Sequence, residues 1–336
     1  MQGLKLDFVA ASTMFHPPTD VLVLLDTNDR RAERENYLIW ALCEAWRDLG
    51  LRVAVARGPG QARPARLLFP HVDRTVTPAD VVRLYERYPL VVNRGVHDIS
   101  KRHVSRLLVG AGDSWTGPVI VKTDLNAGGA PERRLSGAGF DSTFRSLARR
   151  LVPARVRQRA RRRVVAGPPD LGSVTALPPD RYPVFPSLAD VPRAAFANPA
   201  LVVERFLPET EDGLYAVRSW VFLGPRGHAT RRLSPRPVVR ADAVVRREPI
   251  SVPRDIEEDR ARLAFDYGKL DFVLHGDRAI LLDANRTPKL SGSSPSADAL
   301  AKARNLALGV AAWLDSPEGR PLGGEPPPGR EEKRRR

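Results

Sequence analysis

The chain has 336 residues, a net charge of +15 and a hydrophobic content of 42%. This length is enough for two or three domains with cores of their own. No apolar run approaches the roughly 20 residues of a transmembrane helix, and residues 1–11 do not resemble a signal peptide. The only cysteine, Cys43, excludes an internal disulfide and favours a reducing, cytoplasmic compartment in which it is a buried structural thiol.

The positive charge is concentrated in two segments. Residues 145–163 form an Arg-rich block, and residues 333–336 are all Lys or Arg. Such blocks can bind nucleic acid or acidic membranes, but aromatic residues that would stack on bases are scarce around them. We therefore interpret 145–163 as part of a solvated insertion and disfavour nucleic acid as a partner.

The N-terminal part of the chain has the spacing of a βαβ unit. Its predicted elements are, in chain order, strand 21–25, helix 33–49, strand 51–56, helix 80–88 and strand 90–93. Alternating strands and helices of this length predict a parallel sheet, so residues 1–95 are expected to form a small α/β domain. No Gly-x-Gly-x-x-Gly follows the first strand, which argues against a dinucleotide site.

The rest of the chain is richer in strands. Its predicted elements are strand 118–124, strand 200–207, strand 215–223, helix 256–265, hairpin 268–288 and helix 296–314. Residues 131–192 are rich in Arg, Pro and Gly, which indicates an insertion within a second domain that covers 96–315. Residues 316–336 are expected to form a disordered basic tail.

The hairpin is the most informative segment. Two β-rich runs flank the polar turn His275-Gly276-Asp277, and a three-residue loop would place Leu274 opposite Arg278. Because side chains alternate between the faces of a strand, one face is expected to carry Lys269, Asp271, Asp283 and Asn285. The other face is expected to carry the apolar residues Phe272, Leu274, Ile280 and Leu282.

The polar face of this hairpin suggests a metal site. Two carboxylates this close repel each other unless a cation lies between them. Mg²⁺ takes one or two carboxylates and leaves its other positions to water and phosphate oxygens. A surface hairpin with solvated acids is the alternative interpretation.

Three further segments supply polar residues in unusual places. Lys122 lies on a predicted strand just before the turn Asn126-Ala127-Gly128-Gly129, whose backbone N–H groups can approach phosphate oxygens. Glu204 ends an apolar run, where it can accept hydrogen bonds from a ligand. Arg218 interrupts an apolar strand, which is costly unless its guanidinium meets an anion. Each could equally be a solvent-facing residue.

In this order the segments resemble the ATP-grasp superfamily over residues 91–314. The resemblance is carried by Val119-Ile120-Val121-Lys122, Val202-Val203-Glu204-Arg205-Phe206-Leu207, Ala216-Val217-Arg218-Ser219-Trp220-Val221, Leu270-Asp271-Phe272 and Asp283-Ala284-Asn285-Arg286-Thr287-Pro288. It is closest to carboxylate–amine ligases such as peptide-forming glutamate ligases and D-alanine–D-alanine ligases. It implies an α/β and α+β fold, in which the small N-terminal parallel α/β domain precedes an ATP-grasp domain of two α+β subdomains.

The resemblance also implies roles for individual residues. The implied cofactor-binding residues are Lys101, Lys122, Gly128 and Gly129 around the ATP phosphates, Glu204 for adenosine, Glu211 or Glu209 for the ribose, and Lys269. The implied ligands of Mg²⁺, or alternatively Mn²⁺, are Asp271, Asp283 and Asn285. Arg218 and Arg286 would face the transferred phosphate or the acyl substrate. Asp283 departs from the Glu that is common at its position. The Arg-rich insertion between Gly129 and Pro183 falls where a phosphate-covering loop is expected.

The function implied is ATP- and Mg²⁺-dependent ligation of a small-molecule carboxylate to an amine through an acyl phosphate. Positioning and charge neutralisation carry such catalysis, so no nucleophilic side chain is required. Two alternatives stay open: an ATP-grasp-type small-molecule kinase that phosphorylates a hydroxyl, and a non-catalytic basic protein that binds a polyanion. The sequence makes no prediction of the oligomeric state.

Overall fold

The structure, a computed structural model, describes residues 19–30, 32–136, 169–290 and 295–314. The Arg-rich block at 145–163 and the predicted tail at 316–336 lie outside these residues. Within the described ranges, no helix is both long enough and apolar enough to cross a membrane.

The parallel sheet predicted near the N-terminus is confirmed. Four parallel strands pair in the order β2-β1-β3-β4. They are β1 (Val21–Leu25), β2 (Val53–Arg57), β3 (Leu67–His71) and β4 (Leu90–Val91), with helices α1 (Leu38–Asp48) and α2 (Ala79–Leu84) between them. Strand β3, which the sequence analysis missed, is fully buried and contains Pro70, a residue that is depleted in strands.

Helix α1 packs against the last helix of the chain. Its buried face includes Leu42, Cys43 and Trp46. The indole of Trp46 donates a 3.1 Å hydrogen bond to the carbonyl of Ala307. Burial raises the pKa of the Cys43 thiol to about 12, so this cysteine is an inert part of the core, as predicted.

A three-stranded sheet follows, in the order β6-β5-β7. Its elements and the short helices around it are α3 (Lys101–Val104), β5 (Val119–Thr123), α4 (Ala130–Leu135), β6 (Val184–Phe185), α5 (Arg193–Ala197) and β7 (Leu201–Arg205). Leu171, Leu177 and Leu188 pack in the same core as Val121 of β5. Residues 169–192 of the predicted insertion therefore contribute to a core. Its apolar residues have no helix or strand period, so the sequence pattern did not reveal this.

The largest sheet has six strands and is antiparallel, in the order β11-β10-β9-β12-β13, with β8 paired to β9. Its strands are β8 (Glu209–Glu211), β9 (Leu214–Leu223), β10 (Arg226–Ser234), β11 (Arg246–Ile250), β12 (Tyr267–His275) and β13 (Arg278–Asn285). Helices α6 (Arg254–Arg262) and α7 (Ala297–Leu314) complete the fold. The Arg-rich strands β10 and β11 were not predicted.

The hairpin β12–β13 forms with a different register from the predicted one. The turn has two residues, so His275 pairs with Arg278 and Leu274 with Ala279. A bulge after Asp271 then places Asp271 directly opposite Asp283. Because of this shift, the apolar face carries Ala279 and Leu281, whereas Leu282, which was expected on that face, lines a cavity with Asp283.

Gly309 allows α7 to lie close to β9. A Cβ atom at position 309 would clash with the carbonyl oxygen of Leu223. We expect Gly309→Ala to lower the free energy of unfolding by about 1–3 kcal/mol, because helix and strand would have to separate. Urea unfolding measures this change. Gly60→Ala is the control, since its Cβ would meet no atom within 4 Å. Equal losses in the two variants would contradict the close approach.

Candidate nucleotide and substrate site

A cavity of about 230 Å³ is lined by residues of both the three-stranded and the six-stranded sheet. We call it the inter-sheet cavity. Among its lining residues are four of the predicted site residues, Lys101, Lys122, Asp271 and Asp283. They come from α3, β5, β12 and β13, and the fold brings them together from positions up to 182 residues apart. Apolar side chains such as Ile120, Phe206 and Val273 form the rest of the wall.

Lys101 forms an ion pair with Asp283 in this cavity. The distance from Lys101 Nζ to Asp283 Oδ1 is 3.2 Å, and the lysine is 3% exposed. Burial alone would lower the pKa of Lys101, but the negative charge of Asp283 and further carboxylate charge from Glu204 act against it, and the net shift is upward. Lys101 is therefore a permanent buried cation beside a carboxylate.

Lys122 and Glu204 form a second ion pair. Lys122 Nζ lies 2.6 Å from Glu204 Oε2, and Glu204 is completely buried. Antiparallel pairing of β5 with β7 sets Glu204 opposite Ile120, on the face that also carries Lys122. The second carboxylate oxygen, Oε1, accepts no hydrogen bond from any described residue. A buried acceptor of this kind is costly until a donor reaches it.

Asp271 lies at the meeting point of two cavities. It lines the inter-sheet cavity, while its three partners line a second one. Lys269 Nζ lies 2.7 Å from Asp271 Oδ2, Ser219 donates a short hydrogen bond to Oδ1, and Arg232 lies 3.4 Å from Oδ1. Burial alone would raise the pKa of Asp271, but the charges of Lys269 and Arg232 outweigh it and keep the pKa below its ordinary value. Asp271 is therefore ionised at neutral pH.

The second cavity is larger, about 640 Å³, and lies between the six-stranded sheet and α7. We call it the sheet–helix cavity. Its polar lining comes mainly from β10 and β11, together with Lys269, Lys289 and the α7 residues Asp298 and Lys302. Neither Ser219 nor Arg232 was predicted to be a site residue. The alternation of β10, with His228, Thr230 and Arg232 on one face, is a signal that could have revealed them.

The predicted metal ligands are too few to hold Mg²⁺ alone and suit it only where phosphate oxygens supply further ligands. Asp271 is opposite Asp283, and Lys269 is opposite Asn285. The Oδ1 atom of Asn285 also accepts a 2.8 Å hydrogen bond from the backbone N–H of Thr287. Among the described residues there is no group of three or more His, Cys, Asp or Glu placed to hold a metal ion. Two opposed carboxylates and an amide oxygen fit the incomplete protein shell that Mg²⁺ uses when phosphates supply the other ligands.

The structure pairs Arg218 with a protein carboxylate. Its guanidinium contacts both oxygens of Glu209, with Nε–Oε2 and Nη2–Oε1 distances of 2.9 Å. Glu209 also accepts hydrogen bonds from Arg231 and from the backbone N–H of Leu274. Glu211 pairs with Arg231 at 2.6 Å. Glu209 is thus the anion that was expected beside a guanidinium on an apolar strand. The roles of Arg218 in catalysis and of Glu211 at the ribose stay predictions.

Arg286 does not line either cavity, and its predicted role at the transferred phosphate stays a prediction. It is 5% exposed and donates hydrogen bonds to the carbonyl oxygens of Arg74, Thr75 and Val96 and to the hydroxyl of Thr77. Burial lowers its pKa to about 10, still well above neutrality. Arg286 therefore fastens the end of β13 to residues 74–77 and 96, because its planar fork matches several carbonyl groups there.

The glycine turn after β5 has the backbone conformation expected of it. Gly128 and Gly129 have φ values of +65° and +71°, and a Cβ atom at 128 would clash with the carbonyl of Leu177. The neighbouring Ala127 lines the inter-sheet cavity, whereas the two glycines do not. Glu132, one turn later, accepts a 2.7 Å hydrogen bond from the backbone N–H of Thr75 and so holds α4 against the segment that follows β3.

No protein-family model matches this chain, and no curated protein matches its sequence. Solved structures do match. A RimK domain ATP-grasp protein from Sphaerobacter thermophilus is 15% identical with a TM-score of 0.41, and the match covers 86% of this chain and 99% of that one. D-cycloserine synthetase DcsG is 14% identical with a TM-score of 0.42, over 86% and 99% of the two chains. A D-alanine–D-alanine ligase from Bacillus anthracis complexed with ATP is 11% identical with a TM-score of 0.40, over 88% and 97%.

Proposed function

We propose that this protein is an ATP- and Mg²⁺-dependent carboxylate–amine ligase that works through an acyl phosphate. The observation that carries the proposal is the position of Asp271, where two cavities meet. One cavity is lined by Lys101 and Lys122, and Glu204, the buried partner of Lys122, has an unpartnered carboxylate oxygen. The other cavity is larger and rich in cations. Two substrates could therefore bind in separate cavities and react at a shared boundary.

ATP fits the chemistry of the inter-sheet cavity. Lys101 and Lys122 would neutralise phosphate oxygens, and the apolar wall would cover the adenine ring. Glu204 Oε1 is a buried acceptor that the adenine amino group could satisfy. Mg²⁺ held by Asp271, Asp283 and Asn285 would neutralise charge on the phosphates.

The sheet–helix cavity would hold the carboxylate and then the amine. An oxygen of the carboxylate attacks the γ-phosphorus of ATP, the bond to the β–γ bridging oxygen breaks, and ADP leaves. The amine nitrogen then attacks the acyl carbon, inorganic phosphate leaves with the bonding electron pair, and the nitrogen loses a proton. Lys269 and Arg232, beside Asp271, are placed to hold the carboxylate and stabilise the charge that develops on it.

Trapping with hydroxylamine tests the reaction. The protein is incubated with Mg²⁺, ATP, hydroxylamine and a panel of carboxylic acids, and the products are followed as hydroxamate and ADP. Formation of both with one class of acid is the expected result. A stable phosphate ester with ADP but no hydroxamate would establish the kinase alternative. Absence of ATP turnover and of ATP binding would contradict the proposal altogether.

Lys122→Met tests the nucleotide part of the proposal. We expect the dissociation constant of ATP to rise about tenfold, because a charged hydrogen bond to phosphate is lost. The change also leaves Glu204 buried without its cation, so the double variant Lys122→Met, Glu204→Gln removes that charge and separates affinity from stability. Calorimetric titration with ATP measures the affinity, and the exposed Arg87→Met is the control. Unchanged ATP affinity in both Lys122 variants would contradict the assignment.

A further inference from the structure

We propose that the sheet–helix cavity is built for a carboxylic acid that carries a second carboxylate, separated from the first by two or three carbon atoms. That this acid is a substrate rests on the proposed function. The binding that it requires can be tested without that reaction.

First, two arginines occupy opposite positions on neighbouring strands of the cavity wall. Arg232 on β10 is directly opposite Arg247 on β11, and both line the cavity. Like charges in this cross-strand position destabilise a sheet. Arg232 leans towards the junction of the cavities, where it donates a 2.7 Å hydrogen bond to Ser219 Oγ and lies 3.4 Å from Asp271. Within the described part of the chain, Arg247 forms no ion pair with any carboxylate.

The second observation is that the acids of the cavity are already neutralised. Asp298 pairs with Lys302 at 2.7 Å. Glu248 pairs with Arg246 at 2.7 Å and with Arg231 at 3.5 Å, two arginines that are not part of the lining. The carboxylates of the lining therefore do not pair with Arg247, an exposed arginine that is free to meet a ligand, and Arg232 has only a long contact with Asp271.

The third observation is that two buried polar atoms of β10 have no hydrogen-bond partner among the described residues. They are Arg232 Nε and His228 Nδ1. Burial, assisted by the charge of Lys302, lowers the pKa of His228, so the ring is neutral at pH 7 and can donate a hydrogen bond. A buried donor without an acceptor is costly, and carboxylate oxygens would satisfy both side chains.

The spacing of the two arginines sets the length of the ligand. Neighbouring strands lie about 5 Å apart, so the roots of Arg232 and Arg247 are separated by about that distance. Arg232, beside Asp271, would hold the carboxylate that reacts. Arg247, one strand farther from Asp271, would hold the second carboxylate. Succinate and glutarate have chains of the appropriate length.

Binding of matched pairs of acids tests the inference. Succinate and glutarate are compared with their monoamides, succinamate and glutaramate, by calorimetric titration of the whole protein without ATP. We expect at least one of the two diacids to bind about tenfold more tightly than its monoamide, since an ionic hydrogen bond replaces a neutral one. Equal binding of each diacid and its monoamide, or binding of none of the four acids, would overturn the inference.

A variant locates the second carboxylate. Arg247→Gln is expected to abolish the preference for the diacid and to leave the affinity for the monoamide unchanged. Arg226→Gln is the matched control, because Arg226 is an exposed arginine of β10 outside the cavity. A preference for the diacid that survives Arg247→Gln would overturn the assignment of Arg247.

The ligase proposal can fail separately from this inference. If the diacid binds as described but yields neither ADP nor hydroxamate, the cavity binds dicarboxylates and the ligase proposal is wrong. If hydroxamate forms equally well from a diacid and its monoamide, the ligase proposal stands and the dicarboxylate inference is wrong.

Discussion

Replacing Asp283 by Asn is expected to lower Mg²⁺-dependent ATP turnover by about 100-fold, with a fold that stays intact. The substitution keeps the size of the side chain but removes the negative charge that would hold the metal and its phosphates. It also removes the partner of Lys101, whose Nζ lies 3.2 Å from Asp283. Turnover is followed as release of ADP, and the Mg²⁺ concentration needed for half-maximal rate is expected to rise.

The turn of the same hairpin provides a matched control. Asp277 is exposed at the opposite end of β13 from Asn285, so Asp277→Asn removes an equal charge far from the cavities. It is expected to leave turnover unchanged. Thermal unfolding of both variants shows whether loss of turnover follows from loss of structure. Full turnover in Asp283→Asn at low Mg²⁺ would contradict the metal assignment.

Replacing Arg286 by Met is expected to lower the free energy of unfolding by about 3 kcal/mol or more. The guanidinium donates to carbonyl groups of Arg74, Thr75 and Val96. Met would leave the carbonyls of Arg74 and Val96 without this donor, while that of Thr75 would keep only the N–H of Ile99. Arg286→Lys is expected to recover only part of the loss, because one ammonium group cannot match the fork geometry of a guanidinium. Urea unfolding at pH 7 measures both values.

The outcome also decides between two roles for Arg286. Arg278→Met is the control on the same strand, since Arg278 is exposed and its nearest carboxylate contact is 3.4 Å long. It is expected to change stability by less than about 0.5 kcal/mol. Arg286→Met could instead unfold like the unaltered protein but lose turnover. That result would support the role at the transferred phosphate that the sequence resemblance implies, and it would contradict the structural role.

Local patterns in the sequence predicted much of the fold. The βαβ spacing predicted the parallel sheet, and the apolar period of residues 296–314 predicted the helix that is observed as α7. Strands β10 and β11 were missed because arginines interrupt their apolar pattern. Those arginines are compatible with strands because one side of the sheet faces a cavity and the other carries ion pairs such as that of Arg231 with Glu211.

Alternation of side chains along β12 and β13 was enough to place Asp271 and Asp283 on one face, because that alternation is a property of the extended backbone itself. The tertiary structure decided what each of them contacts. The two-residue turn and the bulge set Asp271 opposite Asp283. Packing of distant elements placed Lys101 beside Asp283 and Arg232 beside Asp271. Arg286 is a second example: its motif is local, but its carbonyl partners lie 190 to 212 residues away in the chain, and only tertiary packing brings them to it. Contacts between segments this far apart depend on burial over the whole chain, which no local pattern contains.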